Sequence, residues 1–289
     1  MPSNRCAPPL TRATYRPDAV IQDTIQVVPA DASLGAEVGG CDLSQPLTAG
    51  QVADVQQALL DHCVLVFRAQ RLTDDDQVRF TRCFGEPVEH VRKQRERRVK
   101  EIFIISNVKE NGEPIGALGS DLIDFHSDLS YLPKPGTISL LYAIEIPTQG
   151  GQTQWCDCRA AYDALPAQQQ AYLRTLRAVH RHYVDEQNLP EPTLHPVVRQ
   201  HPQTGRLSLY VNPHLTSHID GMGRQDGDAL LNELYEHMDQ PQFIFTHEWQ
   251  VDDLVIWDNR PTMHRRLAFP DEQRRIMNRT QIFGEEVVE

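Results

Sequence analysis

The chain of 289 residues has an ordinary globular composition, with 40% hydrophobic and 24% charged residues, which excludes a disordered or collagen-like protein. Its formal net charge of −12 argues against general binding of nucleic-acid phosphates, because such binding needs clustered positive charge. The sequence contains no run of about 18 apolar residues, so we expect no membrane-spanning helix. Its start lacks the apolar stretch of a secretory signal, so we expect a cytoplasmic protein.

The first 20 residues differ in composition from the rest of the chain. Residues 1–20 are rich in Pro, Arg and Thr, which predicts a flexible N-terminal arm. No internal repeat or linker divides the remainder, so residues 21–289 are predicted to form one domain. The six cysteines include no Cys-x-x-Cys pair, which argues against a zinc ribbon and predicts free thiols.

Two helices are predicted early in the chain from their caps. Leu47–Cys63 has helical spacing of apolar residues after the N-cap Thr48, and Asp74–Phe84 follows the N-cap Thr73. Later helices are expected near Arg159–Arg177 and Arg224–Met238. Residues 91–100 form the strongest charge cluster, which is either a solvated surface or a basic rim that attracts anionic ligands.

Short apolar runs bounded by Pro and Gly indicate a sheet-rich core. Such runs predict the strands Ile25–Val28, Val64–Phe67, Ile102–Ile105, Ile138–Ile146, Gln154–Trp155, Leu207–Val211, Phe243–His247, Leu254–Trp257 and Ile276–Phe283, and Asn111-Gly112 is typical of a hairpin turn. Many short strands of this kind favour a closed or sandwiched antiparallel sheet. The predicted class is therefore α+β, with helices flanking the sheets.

Three His-x-Asp pairs are candidate metal ligands: His126/Asp128, His218/Asp220 and His237/Asp239. On a strand, side chains two residues apart lie on one face, whereas on a helix they diverge by roughly 200°. The third pair lies in a predicted helix and the second runs into a Gly-rich turn. The first pair lies in a segment where apolar and polar residues partly alternate, so it is the best candidate.

A third ligand has to come from a distant part of the chain. His264 follows the predicted strand Leu254–Trp257 and a turn. Two histidines and one carboxylate form a facial triad that leaves positions open, as in non-heme Fe(II) oxygenases. Zinc, which prefers four ligands, would instead indicate a hydrolase. A third alternative is a binding module without catalysis.

Two arginines near the end of the chain are candidate anion ligands. If a strand starts at Arg275, the side chains of Arg275 and Arg279 lie on the same face. Two inward guanidinium groups beside a metal would suit a carboxylate or a similar anion. The alternative is that both are surface residues of an edge strand.

Ordered sequence blocks from residue 25 to 285 resemble the taurine dioxygenase (TauD/TfdA) family of Fe(II)- and 2-oxoglutarate-dependent dioxygenases. The blocks are LGAEVGGCDLSQPL, VLVFRAQ, RFTRCFGE, FHSDLSY, PTQGGQTQWCD, HPVVRQHPQTGRLSLYVN, DLVIWDNRPTMHRR and RRIMNRTQIFG. The resemblance implies a double-stranded β-helix, or jelly roll, with flanking helices. It also implies hydroxylation of a C–H bond in a small anionic substrate, coupled to decarboxylation of 2-oxoglutarate to succinate and CO2. Fe(II) would be the cofactor, and 2-oxoglutarate and O2 the cosubstrates.

The resemblance also implies roles for individual residues. The iron ligands would be His126, Asp128 and His264. Arg275 and Thr153 would bind the distal carboxylate of 2-oxoglutarate, whereas Arg279 and His90 would contact the substrate anion. Because Asp128 is present, a halogenase, which usually replaces this carboxylate by a small residue, is disfavoured.

The sequence departs from taurine dioxygenase near the substrate. Phe125 stands where that enzyme has Trp, and Lys93 stands where it has Tyr. Anion binding is therefore expected. The candidate substrates are a taurine-like sulfonate and an aryloxyalkanoate-like carboxylate, and an alkyl sulfate and an amino-acid-derived metabolite remain alternatives. A sheet edge or the N-terminal arm could mediate a homo-oligomer. His180, His182, His195, His201 and His247 are expected to be structural or surface residues.

Overall fold

The computed structural model describes residues 24–90, 97–284 and 288. The predicted arm, residues 1–20, and most of the basic cluster, including Lys93, lie outside the described residues. At the end of that cluster, Arg97 forms an ion pair with Asp74 and Arg98 forms one with Asp75.

Eighteen strands occur within the described ranges. They are β1 Gln26–Pro29, β2 Ala36–Gly39, β3 Val64–Phe67, β4 Phe103–Ser106, β5 Lys109–Glu110, β6 Glu113–Pro114, β7 Ile123–His126, β8 Gly136–Glu145, β9 Thr153–Asp157, β10 Arg177–His180, β11 Thr193–Pro196, β12 Val198–Gln200, β13 Leu207–Leu209, β14 Thr216–Ile219, β15 Ile244–His247, β16 Leu254–Asp258, β17 Thr262–Arg266 and β18 Ile276–Phe283. Nine of these strands match the nine predicted runs within two residues. The β5–β6 hairpin turns at Asn111 and Gly112, both with positive φ, as its sequence predicts.

Two larger sheets form the core of the molecule. One has seven strands in the order β1-β2-β3-β16-β8-β18-β4, and the other has four in the order β15-β9-β17-β7. All neighbouring pairs in these two sheets are antiparallel except β2 and β3. The jelly roll with flanking helices is the fold expected from the sequence.

The side-chain period of the strands sorts residues between the two faces of each sheet. Val64 and Val66 of β3 belong to the core between the sheets, where Trp155 of β9 and Trp257 of β16 pack edge to face with ring centroids 5.6 Å apart. The alternate residue Leu65 packs on the opposite side with the first helix. Both tryptophans are fully buried.

Five α-helices lie within the described ranges: α1 Ala49–His62, α2 Asp74–Thr81, α3 Cys158–Asp163, α4 Ala167–Leu173 and α5 Arg224–Met238. Thr48 and Thr73 form capping boxes at α1 and α2, as their positions predict. The helix predicted over Arg159–Arg177 is divided in two, because α3 ends ahead of Pro166 and α4 starts after it. None of the described helices combines the length and apolarity needed to cross a membrane.

Candidate active site

The first two site residues lie opposite each other on neighbouring strands. His126 ends β7, and the register pairs it with His264 of β17. Their ring centroids are 4.2 Å apart. The Nδ1–H of His126 donates to the carbonyl oxygen of Asp124 over 2.8 Å, which leaves Nε2 as the nitrogen available to a ligand.

Asp128 lies in the turn after β7, so its position differs from the predicted one. The strand ends at His126, and Leu129 adopts a left-handed φ of 57°. Asp128 Oδ1 nevertheless lies 3.8 Å from His126 Nε2, because the turn folds back toward the strand. The turn is fixed by Ser127, whose hydroxyl donates to the carbonyl oxygen of Thr262 over 2.8 Å.

The ligand atoms of His126, Asp128 and His264 all lie within 4.8 Å of one another. This is the one group of at least three His, Cys, Asp or Glu side chains with metal-site spacing in the described part of the chain. The other His-x-Asp pairs belong to no such group. His237, for example, pairs its Nε2 with the carbonyl oxygen of Ala161.

Burial and charge favour the protonation states that bind metals. Burial lowers the pKa of His126, and burial together with His126 lowers the pKa of His264 to about 3. Burial alone would raise the pKa of Asp128, but Arg279 and the two histidines outweigh it and the net shift is downward. Two neutral imidazoles and an ionised carboxylate are the forms in which these side chains ligate a metal, so the residues fit Fe(II).

A hydrogen bond from Ser139 orients the carboxylate of Asp128. Ser139 donates its hydroxyl to Asp128 Oδ2 over 2.6 Å. Asn259 in turn donates its Nδ2 to Ser139 Oγ over 2.9 Å and accepts the indole N–H of Trp257. These buried hydrogen bonds therefore fix Oδ2 of Asp128, while Oδ1 faces His126.

Arg275 and Thr153 line one cavity next to the histidines, which we call the inner cavity. Its lining includes His126, Thr153, His264, Arg266, Arg275 and Arg279. Arg275 is only 1% exposed, and within the described residues its Nε and Nη1 are buried without a hydrogen-bond partner. Burial, together with the neighbouring Arg266, lowers the pKa of Arg275 to about 9. Two unused donors on a buried guanidinium fit a carboxylate ligand.

Two glycines permit the close approach of the chain to Arg275. Gly150 and Gly151 both have left-handed φ angles, 74° and 72°. A Cβ on Gly150 would lie 2.3 Å from the carbonyl oxygen of Ala268, and one on Gly151 would lie 2.9 Å from Pro147 Cγ. These positions require glycine, and they bring β9 with Thr153 to the Arg275 side chain.

A second cavity, the outer cavity, adjoins the inner one and shares Arg279 and His126 with it. Arg279 reaches Asp128 Oδ1 at 3.5 Å and contacts His90 Nε2 through Nη2. The His90 ring stacks on Phe103, with centroids 3.9 Å apart. The structure therefore brings together all seven residues singled out from the sequence, and Arg275 and Arg279 are buried instead of lying on an exposed edge.

Four further residues line the outer cavity, although the sequence analysis assigns no site role to them: Tyr131, His182, Tyr183 and His214. The sequence predicts a structural or surface residue at His182, and the structure shows it buried and lining the outer cavity. Each ring contacts the next. The centroids of the Tyr131 and His182 rings are 5.0 Å apart, those of the stacked His182 and Tyr183 rings 4.2 Å, and those of the Tyr183 and His214 rings 5.1 Å. These residues lie in loops, where no periodic pattern marks them.

Phe125, one of the two departures from taurine dioxygenase, points away from the cavities. It is 2% exposed in the core outside the four-stranded sheet, with the guanidinium of Arg265 over its ring at 4.3 Å. Phe125 directly precedes His126 on β7, and consecutive side chains of a strand point to opposite faces of the sheet.

The comparisons with known proteins agree with this geometry. A sequence model of the taurine catabolism dioxygenase TauD, TfdA family matches residues 26–281. The alpha-ketoglutarate-dependent 2,4-dichlorophenoxyacetate dioxygenase of Cupriavidus pinatubonensis is 36% identical over 285 residues, covering 90% of this chain and 98% of the relative. The alkylsulfatase of Acinetobacter baylyi is 33% identical over 272 residues, covering 87% of this chain and 83% of the relative.

Solved structures show the same similarity. The crystal structure of AAD-2 in complex with Mn(II) and N-oxalylglycine is 34% identical, with a TM-score of 0.78, and the match covers 92% of this chain and 100% of that chain. The expected fold and enzyme class are therefore confirmed. The chain belongs to the TauD/TfdA family of Fe(II)- and 2-oxoglutarate-dependent dioxygenases.

Proposed function

We propose that His126, Asp128 and His264 hold the Fe(II) of this dioxygenase. The support is their spacing, with all ligand atoms within 4.8 Å, and the pKa shifts that favour neutral imidazoles beside an ionised carboxylate. Bound iron supplies the activation of O2 and of 2-oxoglutarate. The protein holds the two histidines on paired strands and holds Asp128 in a turn that a hydrogen bond from Ser127 stabilises.

Arg275 and Thr153 bind the distal carboxylate of 2-oxoglutarate in this proposal. The observation that carries it is the buried Arg275, which lines the inner cavity and whose Nε and Nη1 have no hydrogen-bond partner among the described residues. A buried cation with unused donors is costly unless an anion completes it. A zinc hydrolase or a binding module would give Arg275 no such function.

The substrate we propose is an aryloxyalkanoate, with its carboxylate at Arg279 and His90. Arg279 supplies the positive charge in the outer cavity, and Tyr131, His182, Tyr183 and His214 supply flat rings on which an aryl group can stack. The 2,4-dichlorophenoxyacetate dioxygenase relative acts on a molecule of this class by its name. Alkyl sulfates and taurine also carry an anionic group, but they have no aryl ring to stack on these side chains.

The test is a two-stage assay on the purified protein. Fe(II) and 2-oxoglutarate are first added anaerobically, and a visible charge-transfer band is expected when both are bound. Phenoxyacetate, 2-phenoxypropionate, a medium-chain alkyl sulfate and taurine are then compared for stimulation of succinate release under O2. Absence of the band would contradict the cosubstrate site. Stimulation by alkyl sulfate or taurine, but not by the aryl acids, would overturn the substrate proposal.

We also propose that the chain from residue 21 onward is one domain. The first strand, β1, and the last, β18, belong to the same seven-stranded sheet, so the two ends of the described chain depend on a common core. Limited proteolysis should release no stable fragment smaller than this unit.

A further inference from the structure

Thr153 is held by a tryptophan that the family comparison and the sequence motifs did not single out. The indole Nε1–H of Trp249 donates to Thr153 Oγ1 over 3.0 Å, and both side chains are buried. The contact follows from the sheet register, which pairs Thr153 of β9 with His247, the last residue of β15. The chain leaves β15 and turns back, so that Trp249 reaches its neighbour on the adjacent strand.

The chemistry of the two groups fixes the direction of the Thr153 hydroxyl. An indole N–H is only a donor, whereas a hydroxyl offers one donor hydrogen and two acceptor lone pairs. Because Trp249 occupies one lone pair, the hydroxyl hydrogen of Thr153 remains available for another acceptor. Within the described residues, the Trp249 contact is the one side-chain hydrogen bond of Thr153.

A buried carboxylate holds the turn that carries Trp249. Oδ2 of Asp253 accepts the backbone N–H of Gln250 at 2.8 Å, Arg68 Nη1 at 2.6 Å and His247 Nε2 at 3.0 Å. The His247 ring then meets the Trp249 ring edge to face, with centroids 4.6 Å apart. The indole is therefore held by residues that do not themselves line the inner cavity.

We propose that Trp249 is a positioning residue for 2-oxoglutarate, which it serves by keeping the Thr153 hydroxyl as a donor toward the inner cavity. This inference rests on the proposed cosubstrate site. Thr153 and Arg275 line the same cavity, and Nε and Nη1 of Arg275 are also donors without protein partners in the described chain. Three donors and no acceptor would then face a carboxylate, which selects the dianionic keto acid over one ending in a methyl group.

Burial alone does not explain the hydrogen bond from Trp249 to Thr153. Trp155 lies two residues from Thr153 on the same strand and is fully buried, yet in the described chain its Nε1 has no hydrogen-bond partner. The structure thus tolerates a buried indole N–H without a partner next to this site. Trp155 provides a matched control for Trp249.

The experiment measures binding, so it does not depend on turnover. The full-length protein is loaded with Mn(II), which is redox-inert here, and titrated by calorimetry with 2-oxoglutarate and with 2-oxopentanoate, which lacks the distal carboxylate. The variants are Trp249→Phe, Thr153→Val, their double variant and the control Trp155→Phe. Thermal unfolding midpoints and Mn(II) affinity are measured for each variant.

We expect Trp249→Phe to weaken 2-oxoglutarate binding by about three- to tenfold and Thr153→Val by about tenfold or more. The double variant should bind no more weakly than Thr153→Val, because Trp249 acts through the hydroxyl. Binding of 2-oxopentanoate should be equal in the wild type and in Trp249→Phe, and Trp155→Phe should keep wild-type affinity for 2-oxoglutarate.

Unchanged 2-oxoglutarate affinity in Trp249→Phe would overturn the inference, as would equal losses for both keto acids or additive losses in the double variant. If Trp249→Phe does not fold, 3-benzothienylalanine at position 249 replaces only the N–H by sulfur and gives the same comparison. Failure of the wild-type protein to bind 2-oxoglutarate would instead contradict the proposed cosubstrate site.

Discussion

His126 and His264 are direct cross-strand partners, with ring centroids 4.2 Å apart, so the sheet register itself sets the spacing of two candidate iron ligands. Directly opposite residues on antiparallel strands have fixed Cβ separations, which makes such a pair rigid. The third candidate, Asp128, depends on the turn that follows β7. The site therefore combines two ligands fixed by pairing with one fixed by hydrogen bonds from Ser139 and Ser127.

Replacing a proposed iron ligand should remove the metal. We expect His126→Ala or Asp128→Ala to lose Fe(II) binding and all substrate-dependent succinate formation, because two remaining ligands cannot complete the triad. Metal content and succinate release are the measurements. His218→Ala and Asp220→Ala, from a pair with the same spacing outside the site, should retain both. Persistent coupled turnover in either ligand variant would refute the assignment.

Removing the buried guanidinium should weaken cosubstrate binding. Arg275→Ala is expected to raise the apparent KM for 2-oxoglutarate by about 100-fold, because a charge-assisted contact in a buried site is lost. The neighbouring Arg274→Ala is the control, since Arg274 is exposed and pairs with Glu145 over 2.8 Å. If both variants show the same KM, a different residue binds the distal carboxylate.

A tyrosine at the mouth of the outer cavity tests the aryl site. Tyr183 is 58% exposed and meets the rings of His182 and His214. Tyr183→Ala should raise the KM for phenoxyacetate by about three- to tenfold through lost stacking, while leaving the KM for 2-oxoglutarate unchanged. Tyr172→Ala removes a tyrosine of similar exposure, 48%, from α4 and should alter neither value. An unaltered phenoxyacetate KM in Tyr183→Ala would place the aryl group elsewhere.

A buried histidine behind the Asp128 turn predicts acid sensitivity. His195 donates Nε2–H to the carbonyl oxygens of Ser130 and Leu132, and burial followed by the charge of Arg199 lowers its pKa from 6.5 to about 4. Below pH 6.5 the unfolded chain takes up a proton that the folded state does not. Stability should therefore be constant above this pH and fall as the pH drops from about 6.5 to 4.

For His195 alone, the free energy of unfolding is expected to fall by about 1–2 kcal/mol between pH 7 and pH 5. Urea unfolding of the metal-free protein at the two pH values measures this loss. His195→Gln keeps an N–H donor and has no titration, so its loss should be smaller by a similar amount. An equal pH dependence in both proteins would show that other groups cause the effect.

Local signals made some elements predictable and left others hidden. The starts of α1 and α2 follow from Thr48 and Thr73, because a capping box involves residues only three apart. The His-x-Asp spacing predicts a strand at Asp128, because it fits a side-chain period of two. The actual turn depends on Ser127 reaching Thr262, a contact invisible in local sequence. Local patterns mark His264 and Arg275 as separate candidates, and the resemblance to the family implies that both belong to one site.

The aromatic residues of the outer cavity were not predictable for a related reason. His182, Tyr183 and His214 follow no strand or helix period, and they meet only because β10 and β14 lie side by side in a small sheet that positions the loops at their ends. The indole of Trp249 is a similar case. Its partner Thr153 lies on a different strand, and their contact requires the β9–β15 register.

The bond between Ser127 and Thr262 joins residues 135 positions apart in the chain. During synthesis, Asp128 and its turn leave the ribosome long before β17 exists to brace them. The three proposed iron ligands are consequently not all present until His264 has been translated. With this assignment, we expect an almost finished polypeptide to acquire the iron and prematurely terminated products to be unable to retain it.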